Sequence, residues 1–172
     1  MNIRFGEGVV IGRNVEIEPG AAVWNNSIIR DGVSIGKGSV IGHLVVVERD
    51  TKIGRNTTIQ SQCHITALAE IGDNCFFGPG VIMTNEKNIA NQGRTTPKLE
   101  VCRVGNGVRI GAGSLLLPGV QIGDNAFIAA GSLVSKNVPA GEMWGGRPAR
   151  KMREVPEIEF LGPVVDNEPC PL

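Results

Sequence analysis

Ile35-Gly36-Lys37-Gly38-Ser39-Val40-Ile41-Gly42-His43-Leu44-Val45-Val46-Val47-Glu48-Arg49-Asp50-Thr51-Lys52-Ile53-Gly54 is the stretch on which the fold turns. Large apolar residues stand at 35, 41, 47 and 53, six apart. Upstream the same beat reaches back through Ile29, Val23, Ile17 and Ile11 to Phe5. Downstream it continues through Ile59, Ile65, Ile71 and Phe77 to Met83. It breaks there, then resumes as Val104, Ile110, Leu116, Ile122, Ile128 and Val134. A six-residue period fits neither a helix, with roughly 3.6 residues per turn, nor a free strand alternating every second residue. It fits a coil of short straight segments joined by turns.

With the apolar residue as position 1, position 2 is often glycine, as at Gly36, Gly42, Gly54 and Gly111. Position 4 is Gly, Asn or Asp in most steps, residues that tolerate the positive φ of a tight turn. Position 5 is small or β-branched. Each step is therefore a short strand and a corner, and three steps close a triangle of 18 residues. Stacked triangles pair strand over strand at roughly 4.8 Å per layer, so nearly seven layers make a prism about 30 Å tall. Position 1 fills its interior, and both ends of the stack present strand edges that need caps or partners.

A chain of 172 residues suits one domain. Lysine plus arginine and aspartate plus glutamate balance at 17 each, which removes the basic footprint of a nucleic-acid binder. No apolar run approaches the length of a membrane span and no basic-then-apolar start suggests a signal peptide, so a soluble, cytoplasmic protein is expected. Cys63, Cys75, Cys102 and Cys170 match no zinc or disulfide spacing. Cys63 and Cys75 share one point of the repeat and are expected to be small buried thiols.

From Met83 to Val104 the interval is 21 residues, a surplus of fifteen over one step. The insert, residues 84–103, is polar and predicts a long excursion from a rigid scaffold, a place where function concentrates. Ile110-Gly111-Ala112-Gly113-Ser114 and Ile128-Ala129-Ala130-Gly131-Ser132 lie one triangle apart. Ala112 and Ala130, and Gly113 and Gly131, therefore stack. Such a column exposes backbone amides along a smooth groove in which an extended, amide-bearing thread can lie.

This repeat resembles the hexapeptide-repeat acyltransferase superfamily, over residues 5 to about 140. The resemblance implies an all-β, left-handed parallel β-helix of about seven triangular coils. Residues 1–140 form the helix, with residues 84–103 as its inserted loop, and residues 141–172 form a short C-terminal extension. The handedness comes from the family, because parallel crossovers are otherwise right-handed. A homotrimer with its active site between subunits is also implied, with no nucleic-acid or membrane partner. Trp24, Leu44 and Leu68 are the apolar surface candidates for the contact. The segment Gly146-Arg147-Pro148-Ala149-Arg150 resembles the unit flanking the coenzyme A site in hexapeptide acetyltransferases. That likeness implies acetyl-CoA as cosubstrate, its pantetheine arm along Gly111, Ala112, Gly113, Ala130 and Gly131 and its adenine end near Pro148 and Ala149. Lys136, Arg147, Arg150 and Lys151 are the cations suited to its phosphates. The Pro-rich end, with Pro156, Pro163, Pro169 and Pro171, is expected to wrap along a surface.

Many relatives carry a histidine base on the inserted loop; here the only histidines are His43 and His64, both in the repeats. His64 should point outward, on the face that launches the loop. It is read first as a surface histidine and second as a proton acceptor. The loop opens with Thr84-Asn85-Glu86, which resembles the N-acetyltransferases of nucleotide-linked amino sugars. That implies Asn85 orienting the acceptor amine, with Glu86 or His64 managing the proton. The chain lacks that subgroup's Pro-Arg pair, and an N-terminal nucleotide-binding domain like that subgroup's is not expected. The expected activity is acetyl-CoA-dependent N-acetylation of an amino sugar on a nucleotide. O-acetylation of another small acceptor and a non-catalytic trimeric scaffold are the alternatives. The γ-class carbonic anhydrases share the scaffold, but their zinc site needs three histidines, so no metal is expected.

Overall fold

The computed structural model describes residues 2–88 and 98–160. Twenty two-residue strands, from Arg4–Phe5 to Leu133–Val134, sort by turns into three parallel sheets. Sheet I starts at Arg4–Phe5, sheet II at Val10–Ile11 and sheet III at Glu16–Ile17. Partners stand 18 residues apart, as in Val46 with His64 and Lys52 with Glu70. Across the insert the offset becomes 33, as in Phe76 with Arg109, which is one triangle plus the surplus of fifteen. This is the parallel β-helix architecture expected from the repeat, consistent with the left-handed type.

The second residue of each strand points inward. From Val23 to Val134 every position-1 side chain is buried, and these ladders are the core. Each such side chain stabilises the fold by about 1.5–3 kcal/mol relative to exposure. Position 5 seals the layers with hydrogen bonds. Ser27 Oγ donates to Gly42 O at 2.7 Å, and Ser39 Oγ to Gly54 O at 2.7 Å. Cys63 Sγ donates to Gly78 O at 3.2 Å, and Cys75 Sγ to Gly105 O at 3.0 Å. The thiols thus replace hydroxyls in one repeating bond, and burial raises both to about 11, far from nucleophilic at neutral pH. Cys170 lies outside the described residues.

Every position 4 from Gly8 to Gly80 and from Gly107 to Gly131 has positive φ. Three of them depart from the Gly, Asn, Asp rule: Leu44 (57°), Gln62 (63°) and Leu68 (66°). The corner geometry is imposed by stacking against neighbouring layers, and local propensity yields to it.

One expectation needs correction. Cys102 is fully buried and Arg103 belongs to a strand of sheet III, so the last residues of the 84–103 insert are already coil. The C-terminal extension begins with a hairpin that the sequence did not foretell. Glu142–Gly146 adds a parallel strand to sheet I, pairing Phe127 with Met143 and Ile128 with Trp144. Ala149–Glu154 then folds back antiparallel on it. Half-buried Trp144 and buried Ala149 pack on the core at this end. Pro163, Pro169 and Pro171 lie outside the described residues.

Candidate functional site

Three corners run the height of the prism. The first joins sheet I to sheet II, the second joins II to III, and the third leads back to I. Their residues follow from the register.

The first corner carries Gly78-Pro79-Gly80, Gly111-Ala112-Gly113 and Ala129-Ala130-Gly131 in successive layers. A side chain built at Gly80, Gly113 or Gly131 would meet nothing within 4 Å. At Gly8, higher on the same corner, and at Gly32 and Gly38 on the other two, it would strike the side-chain oxygen of Asn26, Asp50 or Asn56. Gly80, Gly113 and Gly131 thus border open space, unlike the glycine at the top of their own corner.

The backbone donors differ there too. On the third corner the position-3 amides are capped by side chains from the next layer. Arg55 N–H donates to Asp73 Oδ1 at 2.7 Å, Asp73 N–H to Asn106 Oδ1 at 2.8 Å, and Asn106 N–H to Asp124 Oδ1 at 2.7 Å. On the first corner the residue below Ala112 is Ala130, which has no oxygen to offer. Among the described residues the N–H groups of Ala112 and Ala130 have no acceptor. The result is a groove floored by small residues and lined with free amide donors.

The hairpin closes the lower end of this groove. Gly145 to Pro148 turn beneath Ala129–Gly131, and Arg147 Nη1 donates to Gly131 O at 3.4 Å. Ala149 is buried, while Arg147, Pro148 and Arg150 are exposed. Gly111, Ala112, Gly113, Ala130, Gly131, Arg147, Pro148, Ala149 and Arg150 therefore gather at one corner. Lys136 does not join them, because it sits at the second corner, after Leu133–Val134 of sheet II. Lys151 is engaged by Glu142 at 2.8 Å and by Glu154, whose hydrogen bonds raise its pKa while Lys151 lowers that of Glu142.

The inserted loop leaves from the second corner. Its described stem is ordered by an antiparallel bridge between Glu86 and Leu99, and Glu100 N–H donates to Asn85 O at 2.8 Å. Asn85 Nδ2 donates to Ala67 O at 3.2 Å, and Thr84 Oγ1 to Leu116 O at 2.9 Å. Asn85 and Glu86 are half-buried. Residues 89–97 of the expected loop lie outside the described residues.

His64 lies on sheet II between Val46 and Ile82, half-buried and outward-facing. His43 is on the first corner, stacked on Trp24 with ring centroids 6.1 Å apart. Sheet II spans the whole face between groove and loop. Asn85 and Glu86 therefore stand at its far edge from Ala112 and Ala130, and one chain alone does not bring the two groups together.

Of the apolar surface candidates, Leu44 is exposed and Trp24 and Leu68 are half-buried. A more continuous feature is the outward row of sheet II: Val10, Ile28, Val46, His64, Ile82, Leu115 and Leu133. Sheet III instead presents Glu16, Ser34, Lys52, Glu70, Arg103 and Gln121. The contrast was available in the sequence at the residue just before each position 1, read at a period of 18.

The family model described as bacterial transferase hexapeptide (six repeats) matches residues 50–85 and 102–136. The chain belongs to the hexapeptide-repeat family. Galactoside O-acetyltransferase of Escherichia coli (strain K12) is 34% identical over 103 residues, 58% of this hexapeptide-repeat chain and 49% of that protein. Gamma carbonic anhydrase 2, mitochondrial, of Arabidopsis thaliana is 44% identical over 62 residues, 35% of this chain and 22% of that one. The chain thus spans about half or less of these curated relatives. A solved hexapeptide transferase family protein from Anaplasma phagocytophilum superposes with a TM-score of 0.62 at 25% identity, over 91% of this chain and 86% of that one.

Proposed function

We propose that this hexapeptide-repeat protein is a coenzyme A-dependent acyltransferase that N-acetylates an amino sugar carried on a nucleotide. The observation that carries the reading is the first-corner groove, where glycines border open space and the amides of Ala112 and Ala130 lack acceptors. The pantetheine arm of coenzyme A is a flexible thread with two amide carbonyls about one layer apart, ~4.8 Å, and suits donors stacked at that spacing. Exposed Arg147 and Arg150 at the lower end suit the phosphates. The thioester then points up the corner, towards Pro79 and the layers above.

The chemistry is addition of a neutral amine to the thioester carbonyl. A C–N bond forms, the C–S bond breaks, and coenzyme A leaves as the thiol with the proton released by the amine. Asn85 orients the amine, and Glu86 or His64 receives its proton in transit. A neutral amine needs less help than a hydroxyl, which agrees with an inserted loop that contains no histidine. Because groove and loop stem lie at opposite edges of sheet II, the reading requires a homotrimer. A second protomer packed on the apolar face of sheet II carries its loop to the first protomer's groove. The galactoside O-acetyltransferase likeness keeps a hydroxyl acceptor as the second reading. Isothermal titration with acetyl-CoA tests the common core: saturable binding is expected, and absence of heat with every acyl-CoA tried sinks it. Acetyl transfer to candidate amino-sugar nucleotides and galactosides then separates amine from hydroxyl acceptors.

A further inference from the structure

The N-terminal end of the prism leaves apolar side chains of its first layer open. Phe5 and Ile11 are 53% and 41% exposed, whereas every position-1 residue from Val23 onward is buried. Val10, on the outer face of the same layer, is 55% exposed. Arg4–Phe5, Val10–Ile11 and Glu16–Ile17 are end strands of their sheets, each paired on one side only. The other end of sheet I is folded over by its antiparallel hairpin. Head-to-tail stacking of copies is therefore obstructed, and only head-to-head stacking, which closes on itself, remains open.

We propose that this end face docks a second copy of the chain across a twofold axis. The order of residues around the first layer selects the axis. Sheets I, II and III present Arg4, Val10 and Glu16 outward, and the first two corners present Glu7 and Arg13. A twofold through the third corner, bisecting sheet II, sets Arg4 against Glu16 of the second copy and Glu7 against its Arg13, each pair twice. In the same register it sets Val10 on Val10, Ile11 on Val9 and Phe5 on Val15, with the edge strands antiparallel. An axis through the first corner instead opposes Glu7 to Glu7 and Glu16 to Glu16. One through the second corner opposes Arg4 to Arg4 and Arg13 to Arg13. Only one of the three arrangements is complementary in both charge and apolarity, and like charges in the other two disfavour them.

The remaining acid of the layer, Glu18, meets its own counterpart on the chosen axis. Its carboxylate is already occupied, accepting the Lys37 N–H at 2.8 Å and lying 3.8 Å from Arg55. The chosen axis also points radially from any ring in which sheet II faces the centre, so docking and ring formation are compatible. The docking itself does not depend on that ring.

The test is the solution mass of the full chain by sedimentation equilibrium at micromolar concentration. The wild type should contain an even number of 18.2 kDa chains. Glu7→Arg, which puts arginine against arginine at two places, should halve the mass while the far-UV circular dichroism spectrum stays that of the wild type. Glu7→Arg combined with Arg13→Glu exchanges the two charges and should restore the doubled mass. Equal masses for wild type and Glu7→Arg overturn the proposal, as does a double variant that stays at half mass. If Glu7→Arg alters that spectrum, Val10→Lys on the same face is measured instead, and an unchanged mass there overturns the proposal equally.

Discussion

Replacing Cys63 and Cys75 together by serine should remove most of the alkaline sensitivity of this fold. Burial raises both thiols from 9.0 to about 11. The folded chain therefore holds these protons longer than the unfolded chain. The stability they contribute is complete below pH 9 and is lost as pH climbs through 9 towards 11. At pH 10 an unfolded thiol is about nine-tenths ionised and a folded one about one-tenth. Integrated from pH 8 to 10, this costs about 1.3 kcal/mol per thiol, or about 2.6 kcal/mol for the pair. Serine keeps the bond to the next layer's carbonyl, because Ser27 and Ser39 make it at equivalent positions. The window is clean: the chain contains no tyrosine, and the raised pKa of Lys151 acts above its ordinary 10.5. Cys102 is raised as well but is present in both proteins and cancels. The assay is urea unfolding followed by tryptophan fluorescence at pH 8, 9 and 10 and fixed protein concentration. The wild type should lose about 2.6 kcal/mol more than the double variant. Parallel pH profiles would refute the assignment of the two thiols to a desolvated interior.

Other outcomes follow from the same geometry. Ala130→Leu places a side chain in the open column beside Gly113 and Gly131 and should weaken acetyl-CoA binding at least tenfold by calorimetry, with an unchanged melting temperature. Asn85→Ala removes the amide that donates to Ala67 O and should lower acetyl transfer while leaving the acetyl-CoA dissociation constant within about twofold. Gly38→Ala and Gly131→Ala impose the same positive-φ strain, φ being 70° at both, but only the first drives a Cβ onto Asn56 Oδ1. Gly38→Ala should therefore be the more destabilising by about 1–3 kcal/mol in matched urea titrations, and equal losses would contradict an open groove at Gly131.

Much of the fold is legible in the order of the residues. Ile35, Ile41, Val47 and Ile53 announce the beat, and the 33-residue offset between Phe76 and Arg109 is the sequence interval itself. The stacking of Ala112 on Ala130 follows from their 18-residue spacing and is what the register shows. What failed to read through were positions where tertiary stacking overrides local preference. Leu44, Gln62 and Leu68 take positive φ against their propensity because layers above and below fix the corner. Lys136, close in sequence to Arg147, lies on a different corner because the chain between them travels nearly two sides of the triangle. Cys102 resembled loop and proved to be core, since a buried thiol and an exposed one are the same letter.

The sequence by itself determined the period, and the period determines which residues share a column. A covalent repeat of six converts position along the chain directly into position around a triangle. The stacked small residues also foretold a smooth column at Ala112 and Ala130, and the tertiary structure decided which individual positions border empty space and which are filled. Gly80, Gly113 and Gly131 differ from Gly8, Gly32 and Gly38 through what lies beside them, and that is a property of the neighbouring layer. The same holds for the free amides of Ala112 and Ala130: a donor is free or capped according to the side chain stacked against it, across 18 residues of intervening chain.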